Sequence, residues 1–365
     1  MKKVLKQIVG IDVAQYELVV CLSRLYIVLS SGEVITDLYA HKSFPNNKRG
    51  FSSLIGWIKK NTDPHVSVRY VMEATGVYHE KLAYFLDDRN LAVSIILPNK
   101  ISNFARTLDT KTVTDKTASE AIALFGLQRE LKPWKRPEPI YKKLRQLTRE
   151  RDQMMEEKNR VSNQLHAEKT EADPNTSSVK RMNTRMRLLK KLISEVESEI
   201  KAMIKADKDV AEKVKRICTI PGIGHITAVT ILAETDGFAL IRSKRQLTSY
   251  AGLDVKEKQS GTSVKGKPKI SKRGNRHLRK VLYMPSLSAV RYNHKQKDLY
   301  ARLVSKHGLK KKAGVAVQRK LLELSYILTK NQTDFDPEYE TKKINTIKET
   351  GEPIIADCPP AEADI

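Results

Sequence analysis

Cysteine is scarce: the chain of 365 residues holds three, Cys21, Cys218 and Cys358, far apart and with no Cys-x-x-Cys pair. That spacing argues against a disulfide framework and a cysteine-built zinc site, and it suits a reducing compartment. Long apolar runs are missing too. Met1-Lys2-Lys3-Val4-Leu5-Lys6-Gln7 leads into a short apolar stretch broken by Gly10 and Asp12, which predicts neither a signal peptide nor an 18-residue span. No membrane partner is expected. Aromatics are few, at 6%, and acids are outnumbered, 42 against 67 Lys and Arg, for a net charge of +25 and a pI near 9.8. Such an imbalance points to a polyanionic partner, because each base that meets a phosphate releases a condensed counterion. Nucleic acid is the polyanion this favours. Residues 331–365 carry nine acids against three lysines, about −6, which leaves residues 1–330 near +31.

What is present organises into several parts. The length and the 40% hydrophobic content allow two or three domains with real cores. Between residues 7 and 97, strand-like runs at Ile8–Val13, Leu18–Leu22, Val34–Tyr39, Val68–Met72 and Val93–Leu97 alternate with helical patterns such as Phe51, Leu54, Ile55 and Ile58. This predicts a mixed α/β domain over 1–135. Pro133, Pro137 and Pro139 mark its end. A coiled-coil helical hairpin is predicted over 136–208. Met182, Met186, Leu189, Ile193, Val196, Ile200 and Met203 alternate by four and three, and Ile140, Leu144, Leu147, Met154, Val161 and Leu165 form a weaker matching seam, with a break at Asp173-Pro174-Asn175. The arms are expected to pack on each other or on another subunit. A mostly helical C-terminal domain follows over 209–330, and 331–365 reads as an acidic, disordered tail.

Three acids carry the chemistry: Asp12 within an apolar strand, Glu73 at the end of another, and Asp115 opening a helix. A charged group in an apolar strand is costly without a metal or a partner. Gathered carboxylates hold hard divalent cations for phosphodiester chemistry. An isolated acid at a strand end also suits a simple turn. Further on, Thr219-Ile220-Pro221-Gly222-Ile223-Gly224-His225 places Gly222 and Gly224 ahead of an apolar helix, the pattern by which a helix-hairpin-helix brings backbone N–H groups to a phosphate. From Ser260 the chain turns basic: residues 265–280 hold eight Lys and Arg and no acid. Lys265, Lys267, Lys269, Lys272, Arg273, Arg276 and Arg279, interleaved with glycine, serine and Asn275, predict a loop that tracks a phosphate backbone.

Across residues 8 to 300 the chain resembles the insertion-sequence one-ten transposases, DEDD recombinases with a RuvC-like, RNase H-like N-terminal domain. Ile8–Val13, Val71–Gly76, Thr114–Gly126, Ile220–Gly224, Leu247–Leu253 and the segment from Ser260-Gly261 to Arg279 carry the resemblance in order. It implies a metal-binding acidic tetrad at Asp12, Glu73, Asp115 and position 118, with Mg²⁺ or Mn²⁺ as cofactor. Where such proteins read Thr-Asp-x-x-Asp-Ala, this chain reads Thr114-Asp115-Lys116-Thr117-Ala118-Ser119. Ala118 removes the fourth carboxylate, and Glu120, about 140° around the helix from Asp115, is poorly placed to substitute. The copy is therefore expected to be inactive or impaired, and the intact neighbouring motifs favour deliberate disabling over decay. The resemblance also implies that Ser260 is a nucleophile, although a lone serine in a basic loop is more often a phosphate contact, and Ser263 and Ser271 compete for the role. It further implies donor and target DNA as partners and a guide RNA encoded by the element; a homo-oligomer (dimer or tetramer), through the helical seam, and a cytoplasmic (bacterial, nucleoid-associated) location are also expected. A RuvC-like junction-resolving nuclease would use the acids without Ser260, and a catalytically dead nucleic-acid-binding protein would need neither.

Overall fold

The computed structural model describes residues 2–339, apart from 75, 109–111, 113, 258, 261–263 and 267. The chain divides into two compact units, Met1–Arg136 and Pro137–Ile365.

In the first unit β1 (Lys2–Val13), β2 (Glu17–Val28) and β3 (Val34–Pro45) form an antiparallel meander, and β4 (Val68–Glu73) and β5 (Ala92–Ile96) join parallel to it in the order β3-β2-β1-β4-β5. The parallel pairs need crossovers, supplied by α1 (Lys48–Asn61) and α2 (Glu80–Asp87). Strand alternation divides β1 between two cores. Val9, Ile11 and Val13 face Phe51, Leu54 and Ile58 of α1 and Leu82 and Leu86 of α2. Ile8, with Val71 of β4, faces Ile101 of α3 (Pro98–Ala105) and Ile122 and Leu127 of α4 (Asp115–Gln128). The result is a three-layer α/β/α unit, compatible with the RuvC-like expectation. The meander runs longer than the apolar runs predict, because the first strand already starts at Lys2.

The second unit is helical. α5 (Pro139–Thr170) and α6 (Thr176–Ala206) form the predicted hairpin, its turn fixed by Asn175, whose side chain accepts from the backbone N–H groups of Ser177 and Ser178. Arg151, which interrupts the first seam, donates to Glu197 of α6 at 2.6 Å. The two arms pack on each other within one chain. The boundary expected at 208 is not where the compact units part: Tyr141, Leu144 and Leu147 of α5 and Val196, Ile200 and Ile204 of α6 share one core with α7 (Lys208–Cys218), α8 (His225–Thr235), α9 (Lys244–Ala251), α10 (Arg276–Val281), α11 (Tyr283–Tyr292) and α13 (Lys310–Asn331). α12 (His294–His307) packs beside α11 and α13. The predicted basic loop holds short strands among its described residues. β6 (Val255–Lys256) pairs with β9 (Lys269–Ile270), β7 (Gln259–Ser260) pairs with β8 (Val264–Lys265), and the stretch ends in α10. Of the expected acidic tail, residues 340–365 lie outside the described residues.

Candidate active site and nucleic-acid interface

Two glycines and a lysine set α4 against the face of β1 that carries Asp12. Ile8, Gly10 and Asp12 alternate onto one face of β1, and Gly10 and Ile11 stand beside Val71 and Met72 of β4. One further step in that register sets Asp12 beside Glu73. α4 crosses this face so closely that a Cβ on Gly10 would meet the Ser119 carbonyl oxygen and the Ala123 nitrogen, each at 2.4 Å, and one on Gly126 would meet Ile8 at 2.7 Å. The sheet tolerates no side chain at either position without moving the helix. As β1 advances from Ile8 to Gly10, the facing helix residues step back from Gly126 to Ser119 and Ala123, which carries Asp12 towards the first turn and Asp115. Lys6 fixes the helix at its other end. Its Nζ donates to the carbonyl oxygens of Gly126 (2.6 Å), Leu127 (3.0 Å) and Arg129 (3.2 Å), placing a cation on the negative end of the helix dipole. Thr114 and Thr117 close the first turn with reciprocal capping bonds.

The electrostatics agree with this approach. Burial first, then the charges of Asp115 and Glu73, raise the Asp12 carboxyl above its ordinary value, against a hydrogen bond from the Val13 backbone. Hard carboxylate oxygens that repel one another at a half-buried position fit a divalent cation in kind. Their spacing is wider than a finished cage: among the described residues, no group of three or more His, Cys, Asp and Glu is gathered tightly enough to hold a metal as it stands. Ala118, half-buried, offers only a methyl group. Glu120 turns towards β3 instead, its Oε1 2.9 Å from His41 Nε2.

In the second unit Gly222 has a local structural reason. Its φ is +101°, and a Cβ there would stand 2.7 Å from the backbone nitrogen of Ala289 in α11. Gly224 is the N-cap of α8 and opens onto free space. Ser260 lies in β7 opposite Val264, and Lys265 lies in β8 opposite Gln259. Lys267 is outside the described residues. Lys269, Lys272, Arg273 and Arg276 are exposed. Arg279 is half-buried and donates to the carbonyl oxygens of Ala251 (2.7 Å) and Asn275 (3.3 Å), so it anchors the fold from within. Ser271 donates to Asp254 at 2.5 Å.

Sequence reasoning missed the residue that ties this basic segment down. Glu234 of α8, its side chain 1% exposed, accepts two hydrogen bonds from Arg149 of α5 (2.7 and 2.8 Å) and one from Asn275 Nδ2 (2.6 Å), while Asn275 Oδ1 caps α10. Burial pushes the Glu234 carboxyl up, but the bonds from Arg149 and Asn275 together outweigh it and the net shift is downward. An acid inside an otherwise apolar helix was the available signal.

The family described as transposase IS116/IS110/IS902 matches residues 214–301, and a DEDD transposase family of the IS110 type matches residues 9–168. The pilin gene-inverting protein of Moraxella bovis is 28% identical over 334 residues, covering 91% of this chain and 98% of that protein, and its counterpart from Moraxella lacunata has the same identity and coverage. The transposase for insertion sequence element IS1111A of Coxiella burnetii is 30% identical over 137 residues, 36% of each chain. Among solved structures, T. thermophilus RuvC in complex with a Holliday junction substrate aligns with 35% of this chain and 99% of its own at 10% identity, with a TM-score of 0.26. The chain belongs to the IS110 family of transposases and is a DNA transposase/recombinase.

Proposed function

We propose that this chain cuts and rejoins DNA strands of a mobile element by a serine nucleophile assisted by an acidic metal site, and that Ala118 leaves this copy impaired. The observation that carries the reading is the approach of Asp115 and Glu73 to the half-buried Asp12 carboxyl in a unit matched by a DEDD transposase family. Asp12, Glu73 and Asp115 would hold Mg²⁺ or Mn²⁺, weakly with three carboxylates, because ligand charge and number set affinity for hard cations. A bound divalent cation supplies charge neutralisation at the scissile phosphate and lowers the barrier to deprotonating a hydroxyl. Ser260 attacks the phosphorus and the strand leaves, so a phosphoserine conserves the bond for rejoining. Lys265, Lys267, Lys269, Lys272, Arg273 and Arg276, with Gly222 and Gly224, line the path of the phosphate backbone. Donor and target DNA are the substrates, a guide RNA selects them by base pairing, and a homo-oligomer delivers the serine to the acids.

A second reading, binding without catalysis, is favoured by Ala118 alone. One experiment separates the readings: the chain, its Ala118→Asp variant and the double variant Ala118→Asp with Ser260→Ala are incubated with nicked DNA and Mg²⁺, and covalent adducts and cleaved strands are resolved by electrophoresis. The expected result is much faster cleavage and an adduct in Ala118→Asp, with the adduct lost in the double variant. An adduct that survives Ser260→Ala eliminates this serine, and equal rates with Ala and Asp at 118 remove that position from the site.

A further inference from the structure

The loops that follow the two strand-borne acids carry exposed aromatic and apolar side chains. β1 ends one residue after Asp12, and the turn into β2 presents Tyr16 at 79% exposure; β4 ends at Glu73, and the segment into α2 presents Val77 at 68% and Tyr78 at 41%. One residue staples both loops. The backbone N–H of Asn46, between β3 and α1, donates to the Tyr16 carbonyl oxygen at 2.8 Å, while its side-chain Nδ2 donates to the carbonyl oxygens of Ala14 (2.8 Å) and Tyr78 (3.3 Å). The loop backbones are thus held side by side at the edge of the sheet where Asp12 and Glu73 end their strands. Aromatic groups held this far into water cost hydration free energy that packing does not recover, and loops fixed at a site edge are where binding groups concentrate.

The geometry points to a stacking rim: Tyr16 and Tyr78, with Val77 beside them, receive an unpaired nucleobase next to the phosphate held at the acids. This rests on the acid-site reading above. A base unstacked beside the acids exposes two π-faces that water solvates poorly. Tyrosine offers a flat apolar partner that accepts any base. Asn46 is then a positioning residue, holding the two rings' loops at fixed separation.

The test uses the full chain in metal-free buffer with two DNA duplexes of equal length, one fully paired and one with a central bubble carrying 2-aminopurine in an unpaired position. The chain is expected to prefer the bubble and to quench the 2-aminopurine on binding. Tyr16→Ala and Tyr78→Ala should each weaken bubble binding by about tenfold, leave duplex binding unchanged and relieve the quench. Tyr16→Phe and Tyr78→Phe should retain both. Alanine variants that bind and quench the bubble like the unmodified chain overturn the rim, as does an equal loss on both duplexes. Asp12→Ala introduced into the Ala118→Asp variant, and compared with Ala118→Asp alone for cleavage in Mg²⁺, reports separately on the acids: unchanged cleavage there removes the acid site while the metal-free stacking result is read on its own.

Discussion

At the scale of single residues, the carboxylate that decides most about the second unit is Glu234. It is a buried acid held by a bidentate arginine and an amide, and removing one partner of such a group leaves the others short of bonds. Because Arg149 is 44% exposed and recovers water, the loss on Glu234→Gln is about 2 kcal/mol, below the cost for a fully buried pair. The pH dependence follows from the direction of the shift. A folded-state pKa below the ordinary glutamate value means that Glu234 adds stability above that ordinary value and loses it as pH falls through the folded pKa. Urea unfolding of the chain and of Glu234→Gln, followed from neutral pH into the acid range, should show a difference in midpoint that shrinks towards low pH. A difference that stays constant or grows on acidification would show that the carboxylate charge is not what matters at this position. Burial, more than any neighbouring charge, lowers the His277 imidazole from its ordinary value.

At the scale of elements, the apolar runs of all five strands and the seams of α5 and α6 were legible, because alternation by two and by four and three reports directly on which face is buried. Among the candidate acids, Asp12 stands out for the same reason, because it breaks its strand's apolar pattern, whereas Glu73 and Asp115 sit at element ends and carry no such mark. What lay outside the sequence was every contact made at long separation. Lys6 caps a helix 120 residues away, and Glu234 binds Arg149 across 85 positions, so neither leaves a local signature. The basic segment was read as a loop because two-residue strands such as β6 to β9 are too short to show a period. Its ordering sharpens the expected contact set. Lys269, Lys272, Arg273 and Arg276 are exposed, whereas Arg279 holds the carbonyl oxygen of Ala251. Alanine at each of the first four should weaken duplex DNA binding without regard to sequence and lower the magnitude of the slope of log affinity against log salt by roughly 0.9. Alanine at 279 should instead lower the thermal midpoint with little change in slope. Unchanged slopes in all four exposed variants would place the nucleic acid elsewhere on the chain.

At the scale of the whole molecule, the chain is two separately built units. Val9, Ile11, Leu54, Leu86 and their neighbours close one set, with Ile8, Val71, Ile122 and Leu127 on the other face of the same sheet, all before Arg136; Tyr141, Leu144, Ile200, Leu232 and Leu321 belong to another set entirely after it. No helix among the described residues is long and apolar enough to cross a membrane. The junction falls at the proline cluster that the sequence marks, where Pro137 and Pro139 cannot extend a helix backwards and α5 begins with proline in its first turn. A core that closes within one stretch of chain can fold without the rest, and 136 and 229 residues are each within the size that supports an independent domain. Residues 1–136 and 137–365, expressed apart, should each show a cooperative thermal transition by circular dichroism, the first with mixed α/β and the second with mainly helical signal. The hairpin cut away as a third piece, residues 137–208, should lose its cooperativity, because Tyr141, Leu144, Val196, Ile200 and Ile204 would lose their partners in α7, α8 and α13. A hairpin fragment that melts as sharply as residues 137–365 would instead restore the boundary at 208 and make the shared core incidental.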